Sequence, residues 1–199
     1  MVLRLLGAGY RVTVWNRSTD KTQAAVAAGA TLAASPADLA AQSDVIMCCL
    51  TDAKAVEAVI FGPDGVAGFS GPSVLVDFSS MDPDLTRDFG ERLKAANGMG
   101  WVDAPVSGGT PAATAGTLTI MAGGTGEDFA TAAPLMQPLA QKITHMGPAG
   151  AGQMTKLVNQ IISGCTMAVV AEAVLFAKRS GVDASQLTDA LAGGFADSK

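Results

Sequence analysis

Asp103-Ala104-Pro105-Val106-Ser107-Gly108-Gly109 reads as a strand that runs into a glycine turn. The turn offers a hydroxyl and free backbone amides, a combination that suits a small carboxylate. Further on, Gly150-Ala151-Gly152-Gln153-Met154-Thr155-Lys156-Leu157-Val158-Asn159-Gln160 opens a helix. Lys156, Asn159 and Gln160 stand at i, i+3 and i+4, so one face carries an amine and two amides. An anion cradle followed by a helix-borne proton donor is equipment for carbonyl chemistry on a small acid.

Working outward, short apolar runs alternate with helical patterns, which predicts a parallel α/β sheet. A helix over residues 3–8 closes at Gly9, an alternating strand covers 10–15, and an alanine-rich helix over 20–28 ends at Gly29. A short helix covers 36–41, and the continuous apolar run 45–50 reads as a buried parallel strand. A helix over 53–60, a Gly- and Pro-rich loop over 61–73 and a strand over 74–77 follow. Asp82-Pro83 opens a helix reaching residue 96. Strands are expected at 101–103, 117–122 and 142–145, with a mostly helical stretch over 127–138 between the last two. After Gly147-Pro148 the pattern is helical throughout, to about residue 178 and again over 184–192, with a break at Gly181. The expected architecture is a Rossmann-like, doubly wound parallel sheet over residues 1–148, then the start of an all-α domain over 149–199. Such a sheet opens with a strand, Gly-x-Gly-x-x-Gly and a helix. Here the chain begins inside that helix, and Gly7 and Gly9 stand after it, in the wrong context. The first strand and glycine loop are therefore expected to be missing, and the helical domain incomplete.

The chain has 199 residues, 49% of them hydrophobic and 16% charged, enough for a sizeable core. Its net charge of −5 and lack of a basic cluster argue against nucleic acid as a partner. Three cysteines, two of them adjacent (Cys48, Cys49), make neither a disulfide framework nor a metal quartet. No carboxylate pair has metal-ligand context, so no metal is expected. The opening residues show no signal-peptide pattern, and a reduced, cytoplasmic setting is expected. The apolar run 161–177 contains Ser163, Thr166 and Glu172, which are costly in lipid. It reads as a helix buried between domains or subunits rather than a membrane span. His145, the single histidine, reads as structural, and Cys48 and Cys49 as small hydrophobes in a buried strand.

The two quoted segments together resemble the β-hydroxyacid dehydrogenase family. That family includes 3-hydroxyisobutyrate dehydrogenase, tartronate semialdehyde reductase and glyoxylate/succinic semialdehyde reductases. The resemblance covers essentially the whole chain. It implies a nicotinamide cofactor, a small carboxylate substrate, a homo-oligomer, and a glycine-rich loop upstream of Met1. Segments 116–121 and 156–160 resemble the tartronate semialdehyde reductases most, with 3-hydroxyisobutyrate or succinic semialdehyde enzymes as the alternative. By the same resemblance Ser107, Gly108 and Gly109 bind the substrate carboxylate, and Ser80, in Asp77-Phe78-Ser79-Ser80, lies by the nicotinamide. Leu50 and Thr51 line the cofactor, although Leu50-Thr51-Asp52 departs from the family's Leu-Pro-Asn. Asn16, Arg17 and Ser18 follow the second strand of the fold. An acid there grips the ribose 2′-hydroxyl of NAD, whereas an Arg accommodates the 2′-phosphate of NADP. NADP(H) is preferred on this reading, with NAD(H) as the alternative.

Lys156 is the expected catalytic residue. Its ammonium can stabilise and protonate the alkoxide that hydride addition leaves, and burial plus the positive end of the helix would lower its pKa. Asn159 is expected to hold the substrate hydroxyl or orient Lys156, with Gln160 as a further substrate contact. Plainer readings stay open. Asp52 serves as a helix cap, Ser80 as a helix starter, and Lys156 as a solvated surface charge. A cofactor-free scaffold of the same fold is the reading from another class.

Overall fold

Asp77 and Asp103 end neighbouring parallel strands in the middle of the main sheet, and the rest of the fold is built around them. The structure, a computed structural model, describes residues 1–71 and 73–197. Five strands pair in parallel: β1 (Thr13–Val14) pairs with β2 (Thr31–Leu32), and β3 (Val45–Cys48), β4 (Val74–Asp77) and β5 (Gly100–Asp103) lie side by side. β7 (Leu118–Gly123) runs antiparallel to β5 and to β6 (Val106–Ser107), and β8 (Ala140–Gly147) runs parallel to β7. The sheet is thus mixed at its far side, where uniform parallel pairing was expected. β1–β2 and β3–β8 form two separate sheets among the described residues.

Residues on β4 alternate between two cores, as a pleated strand requires. Val74 and Val76 face a cluster containing Ala132 and Met136 of α7 (Gly126–Met136). Leu75 faces Val56 and Ile60 of α4 (Ala53–Phe61) together with Phe89 and Leu93 of α5 (Pro83–Asn97). Helices therefore cover both faces, and the doubly wound character holds. Local chemistry sets the helix starts. Ser35 caps α3 (Pro36–Ala41), Asp52 caps α4, and Asp82 caps α5 with Pro83 at the first helical position. Helices α1 (Val2–Gly7), α2 (Gln23–Ala27) and α6 (Gly109–Ala115) are short.

The chain divides into two compact units, Met1–Lys156 and Leu157–Lys199. The second contains most of α8 (Ala151–Arg179) and α9 (Leu187–Leu191). The run 161–177, expected to be buried, is exposed: Ile161, Met167 and Phe176 are all more than half accessible, and Ala177 is its one buried residue. Two helices and a short turn are too few elements to enclose it. By length and composition alone α8 would pass for a membrane-crossing helix. Lys156, Ser163, Thr166 and Glu172 along it weigh against lipid.

Candidate active site

β5 ends at Asp103, and Ala104-Pro105 turns the chain into β6, which leads to Ser107. The expected single strand is thus two strands joined at a bend. Gly108 (φ 119°) and Gly109 (φ 63°) take left-handed conformations that favour glycine. A Cβ at Gly108 would stand 2.5 Å from the Ala112 Cβ, so the turn folds tightly onto α6. Ser107 is half-buried, and both glycines are exposed.

Lys156 comes to this turn. Its Nζ donates to the Val106 carbonyl at 2.8 Å, one residue before Ser107. The two segments that opened the sequence reading are in direct contact across 50 residues. The Lys156 side chain is half-buried and directed to a backbone oxygen rather than fully solvated. Burial lowers its pKa from the ordinary lysine value. The expected help from the helix end is not what the structure offers. The Gly150 and Gln153 amides at that end donate to Asp103 Oδ1 and Oδ2 at 2.8 and 2.9 Å, so a carboxylate offsets the positive terminus. Burial also holds Asp103 above the usual carboxylate value, against the hydrogen bonds from Gly150 and Gln153.

Gly152 makes this approach possible. A Cβ there would meet the Met121 carbonyl oxygen at 2.4 Å and the Asp103 carbonyl oxygen at 2.7 Å. Asn159 and Gln160 follow on α8 in the second unit, half-buried and exposed respectively.

The cofactor candidates occupy the carboxyl ends of β1, β3 and β4, where ligands bind in open α/β sheets. Asn16 Nδ2 donates to the Ser18 carbonyl at 2.8 Å and shapes that loop. Arg17 is exposed and belongs to no ion pair among the described residues. Leu50 is half-buried, with its amide donating to Ser79 Oγ at 2.8 Å, and Thr51 is exposed beside Asp52. Ser80 is exposed and leaves helix capping to Asp82, which answers its plainer reading. These groups suit the ends of an anionic dinucleotide: an exposed guanidinium on one loop, hydroxyls and amides on the others.

Cys49, expected to be buried, is exposed, and Cys48 is half-buried. β3 stops at Cys48 and, among the described residues, pairs along one edge only, with β4. His145 hydrogen-bonds the Gly124 carbonyl at 3.0 Å and stacks on Phe129, a structural role as expected. Among the described residues no cluster of His, Cys, Asp or Glu has the makings of a metal site.

Sequence reasoning missed Ser79 and Gln153, both almost fully buried and hydrogen-bonded to each other. The available signal was a polar residue directly after Gly152 and one turn before Lys156.

Residues 1–147 match the family model described as the NAD binding domain of 6-phosphogluconate dehydrogenase. Residues 150–199 match the model described as NAD-binding of NADP-dependent 3-hydroxyisobutyrate dehydrogenase. The chain is 35% identical to 3-hydroxyisobutyrate dehydrogenase of Pseudomonas aeruginosa, over 96% of this chain and 64% of that protein. It is 38% identical to 2-(hydroxymethyl)glutarate dehydrogenase of Eubacterium barkeri, over 92% of this chain and 60% of that protein. It thus spans less than two thirds of the length of these relatives. The solved structure of Mycobacterium tuberculosis 3-hydroxyisobutyrate dehydrogenase with L-serine matches with a TM-score of 0.89 at 30% identity, over 100% of this chain and 67% of that one. Agreement of sequence and fold along the whole chain identifies it: the protein belongs to the β-hydroxyacid dehydrogenase family, as a relative of the 3-hydroxyisobutyrate dehydrogenases.

Proposed function

We propose that the protein is an NAD(P)-dependent oxidoreductase that interconverts a small 3-hydroxy acid and its semialdehyde. The observation that carries this reading is the contact of Lys156 Nζ with the Val106 carbonyl at 2.8 Å. It sets an amine of lowered pKa beside a turn whose hydroxyl and amides suit a carboxylate.

In the reducing direction the Ser107–Gly109 turn holds the carboxylate, and Lys156 gives its proton to the carbonyl oxygen as that oxygen gains charge. In the oxidising direction the neutral amine takes the hydroxyl proton. Asn159 orients the hydroxyl, and Gln160 is a further substrate contact. The bound nicotinamide supplies or accepts the hydride. Leu50, Thr51 and Ser80 would hold its reactive end, and Asn16, Arg17 and Ser18 the adenosine ribose. The free guanidinium of Arg17 supports a preference for NADP(H), as does the NADP dependence named in the C-terminal family description.

Chemistry narrows the substrate class. 3-Hydroxyisobutyrate, 2-(hydroxymethyl)glutarate and L-serine, named with the relatives, share one skeleton: a hydroxymethyl group and a carboxylate on the same carbon. Tartronate semialdehyde gives that skeleton on reduction, with a hydroxyl as the third substituent. It is our first candidate on segments 116–121 and 156–160, and 3-hydroxyisobutyrate has equal support. Exposed apolar side chains on α8 support the expectation of a homo-oligomer.

The test is NADPH- and NADH-driven reduction of tartronate, methylmalonate and succinic semialdehydes, followed by absorbance, with wild type and Lys156→Ala. Wild type is expected to turn over one of the first two. Lys156→Ala is expected to lose a factor on the order of hundreds in turnover while binding NADPH as before. Near-normal turnover by the variant refutes the role of Lys156, and a wild type inert toward every semialdehyde favours the scaffold reading.

A further inference from the structure

One buried side chain joins the loop after β4 to the first turn of α8. Gln153 is 1% exposed, and both ends of its amide are spent on one short segment. Nε2 donates to the Ser79 carbonyl at 2.7 Å, and Oε1 accepts from the Met81 amide at 3.2 Å. The two bonds bracket Ser80. Ser79 carries the connection onward, since its Oγ accepts from the Leu50 amide at 2.8 Å and its own amide donates to Asp77 Oδ1 at 2.9 Å. On the other side, the Gln153 backbone amide donates to Asp103 Oδ2. An unbroken series of hydrogen bonds therefore runs from the loop after β3, through the loop after β4, to the helix turn before Lys156.

The side chain has few substitutes. The segment presents a carbonyl and an amide, so the partner must donate and accept in one plane, as a carboxamide does. Asparagine is one methylene too short for the same reach. An apolar side chain would leave both backbone groups without that partner in a buried setting.

We propose that Gln153 is a positioning residue, which fixes Ser80 and the Leu50–Thr51 loop in register with the helix turn carrying Lys156. The proposal rests on the dehydrogenase reading, because it is that reading which makes Ser80 and Lys156 partners in one reaction. Misplacing reacting groups by about 1 Å can cost on the order of a hundredfold in rate, so a buried link of this kind acts on catalysis without touching substrate.

Gln153→Glu and Gln153→Met test it, each read by amide hydrogen exchange at Leu50 and Met81 and by steady-state kinetics on the semialdehydes. Gln153→Met is expected to speed Met81 exchange by at least about tenfold and to lower kcat about ten- to a hundredfold, with a smaller change in KM. In Gln153→Glu the ionised carboxylate has no hydrogen for the Ser79 carbonyl, whereas the protonated acid does. Its exchange and kcat, taken relative to wild type at each pH, should therefore recover as pH falls. The titratable groups beside this position are Asp103, through the backbone amide, and Asp77, through Ser79. A new carboxylate at 153 would shift both, so Gln153→Met, which keeps them and adds no charge, is the control: its ratio to wild type should stay flat with pH. Gln153→Met with wild-type exchange and kcat overturns the proposal, and so does a Gln153→Glu ratio that does not change with pH. A wild type inert on every semialdehyde removes the dehydrogenase reading instead. In that case Met81 exchange still decides whether Gln153 holds the segment.

Discussion

Gly152→Ala is the sharpest test of how α8 is seated. The added methyl would stand 2.4 Å from the Met121 carbonyl oxygen, 2.7 Å from the Asp103 carbonyl oxygen and 2.8 Å from Asp103 Oδ2. The first two atoms are backbone of β7 and β5, and the third belongs to a carboxylate held by the Gly150 amide at Oδ1 and the Gln153 amide at Oδ2. Ordinary contact begins at 3.4 Å, so 3.4 minus 2.4 leaves about 1 Å by which the helix turn must retreat. Overpacking of this kind costs about 1–3 kcal/mol. The retreat also stretches the two bonds to Asp103, and a hydrogen bond to a charged group contributes about 1.5–3 kcal/mol. Against these, alanine gains about 1 kcal/mol over glycine in a helix. The net expectation is a loss of about 2–4 kcal/mol, read as a lower urea midpoint by circular dichroism. Gly164→Ala is the control. It lies on the same helix with nothing within 4 Å of its would-be Cβ, and should gain about 0.5–1 kcal/mol. Gly152→Ala unfolding at or above the wild-type midpoint would show that the close seating of the first turn of α8 against β5 and β7 is wrong.

Burial holds the Asp77 carboxyl above its ordinary pKa, against hydrogen bonds from Ser79 and Cys48. A carboxyl raised in the folded state keeps its proton longer folded than unfolded, so its contribution to stability falls as pH rises through that window. Asp77→Asn should therefore gain on wild type between the ordinary and the raised pKa, and a midpoint difference that does not vary with pH refutes the reasoning. Arg17→Asp should lower the NADPH-over-NADH ratio of kcat/KM by about tenfold or more, because an acid at that loop grips a ribose hydroxyl and repels a phosphate; an unchanged ratio removes Arg17 from the cofactor site. Maleimide at mildly alkaline pH should label exposed Cys165 first, Cys49 later and Cys48 last, since burial raises the Cys49 and Cys48 thiols. Peptide mass spectrometry reads the order, and early labelling of Cys48 contradicts the packing of β3 on β4.

What was legible in the chain depended on whether the signal was local. Helix α3 and strand β4 fall where the pattern put them, because Ser35-Pro36 and the run Val74–Val76 carry their own instructions. Strand β2 was missed, since a two-residue strand is too short for alternation to show. Residues 10–15 shrank to Thr13–Val14 because a strand extends only as far as its partner, and β2 offers two residues. Helix α6 was missed because its Gly-Thr-Pro-Ala composition has no large apolar side chain to mark a period, and it fully buries no residue. The reversal of β7 was invisible, since hydrophobic period does not encode strand direction. In the candidate site, Lys156 and the Ser107 turn could be singled out from residue type and spacing, and the structure brings their segments together. Gln153 and Ser79 were not, because their meaning lies in partners 74 residues apart.

The proton transfer proposed for Lys156 needs an amine that no carboxylate holds in its charged form. A carboxylate beside its amine would hold the charged form and raise the pKa, and would have to be abandoned whenever substrate arrived. Asp103 belongs to the same pair of segments, yet both its oxygens are taken by backbone amides of the helix start. Lys156 is left with a neutral carbonyl, at Val106, and with burial that lowers its pKa. A single bond to a neutral oxygen costs little to exchange, which is what the proposed transfer to a substrate oxygen beside Ser107 requires. The carboxylate that fixes the helix is thus the one kept away from the amine that the helix delivers.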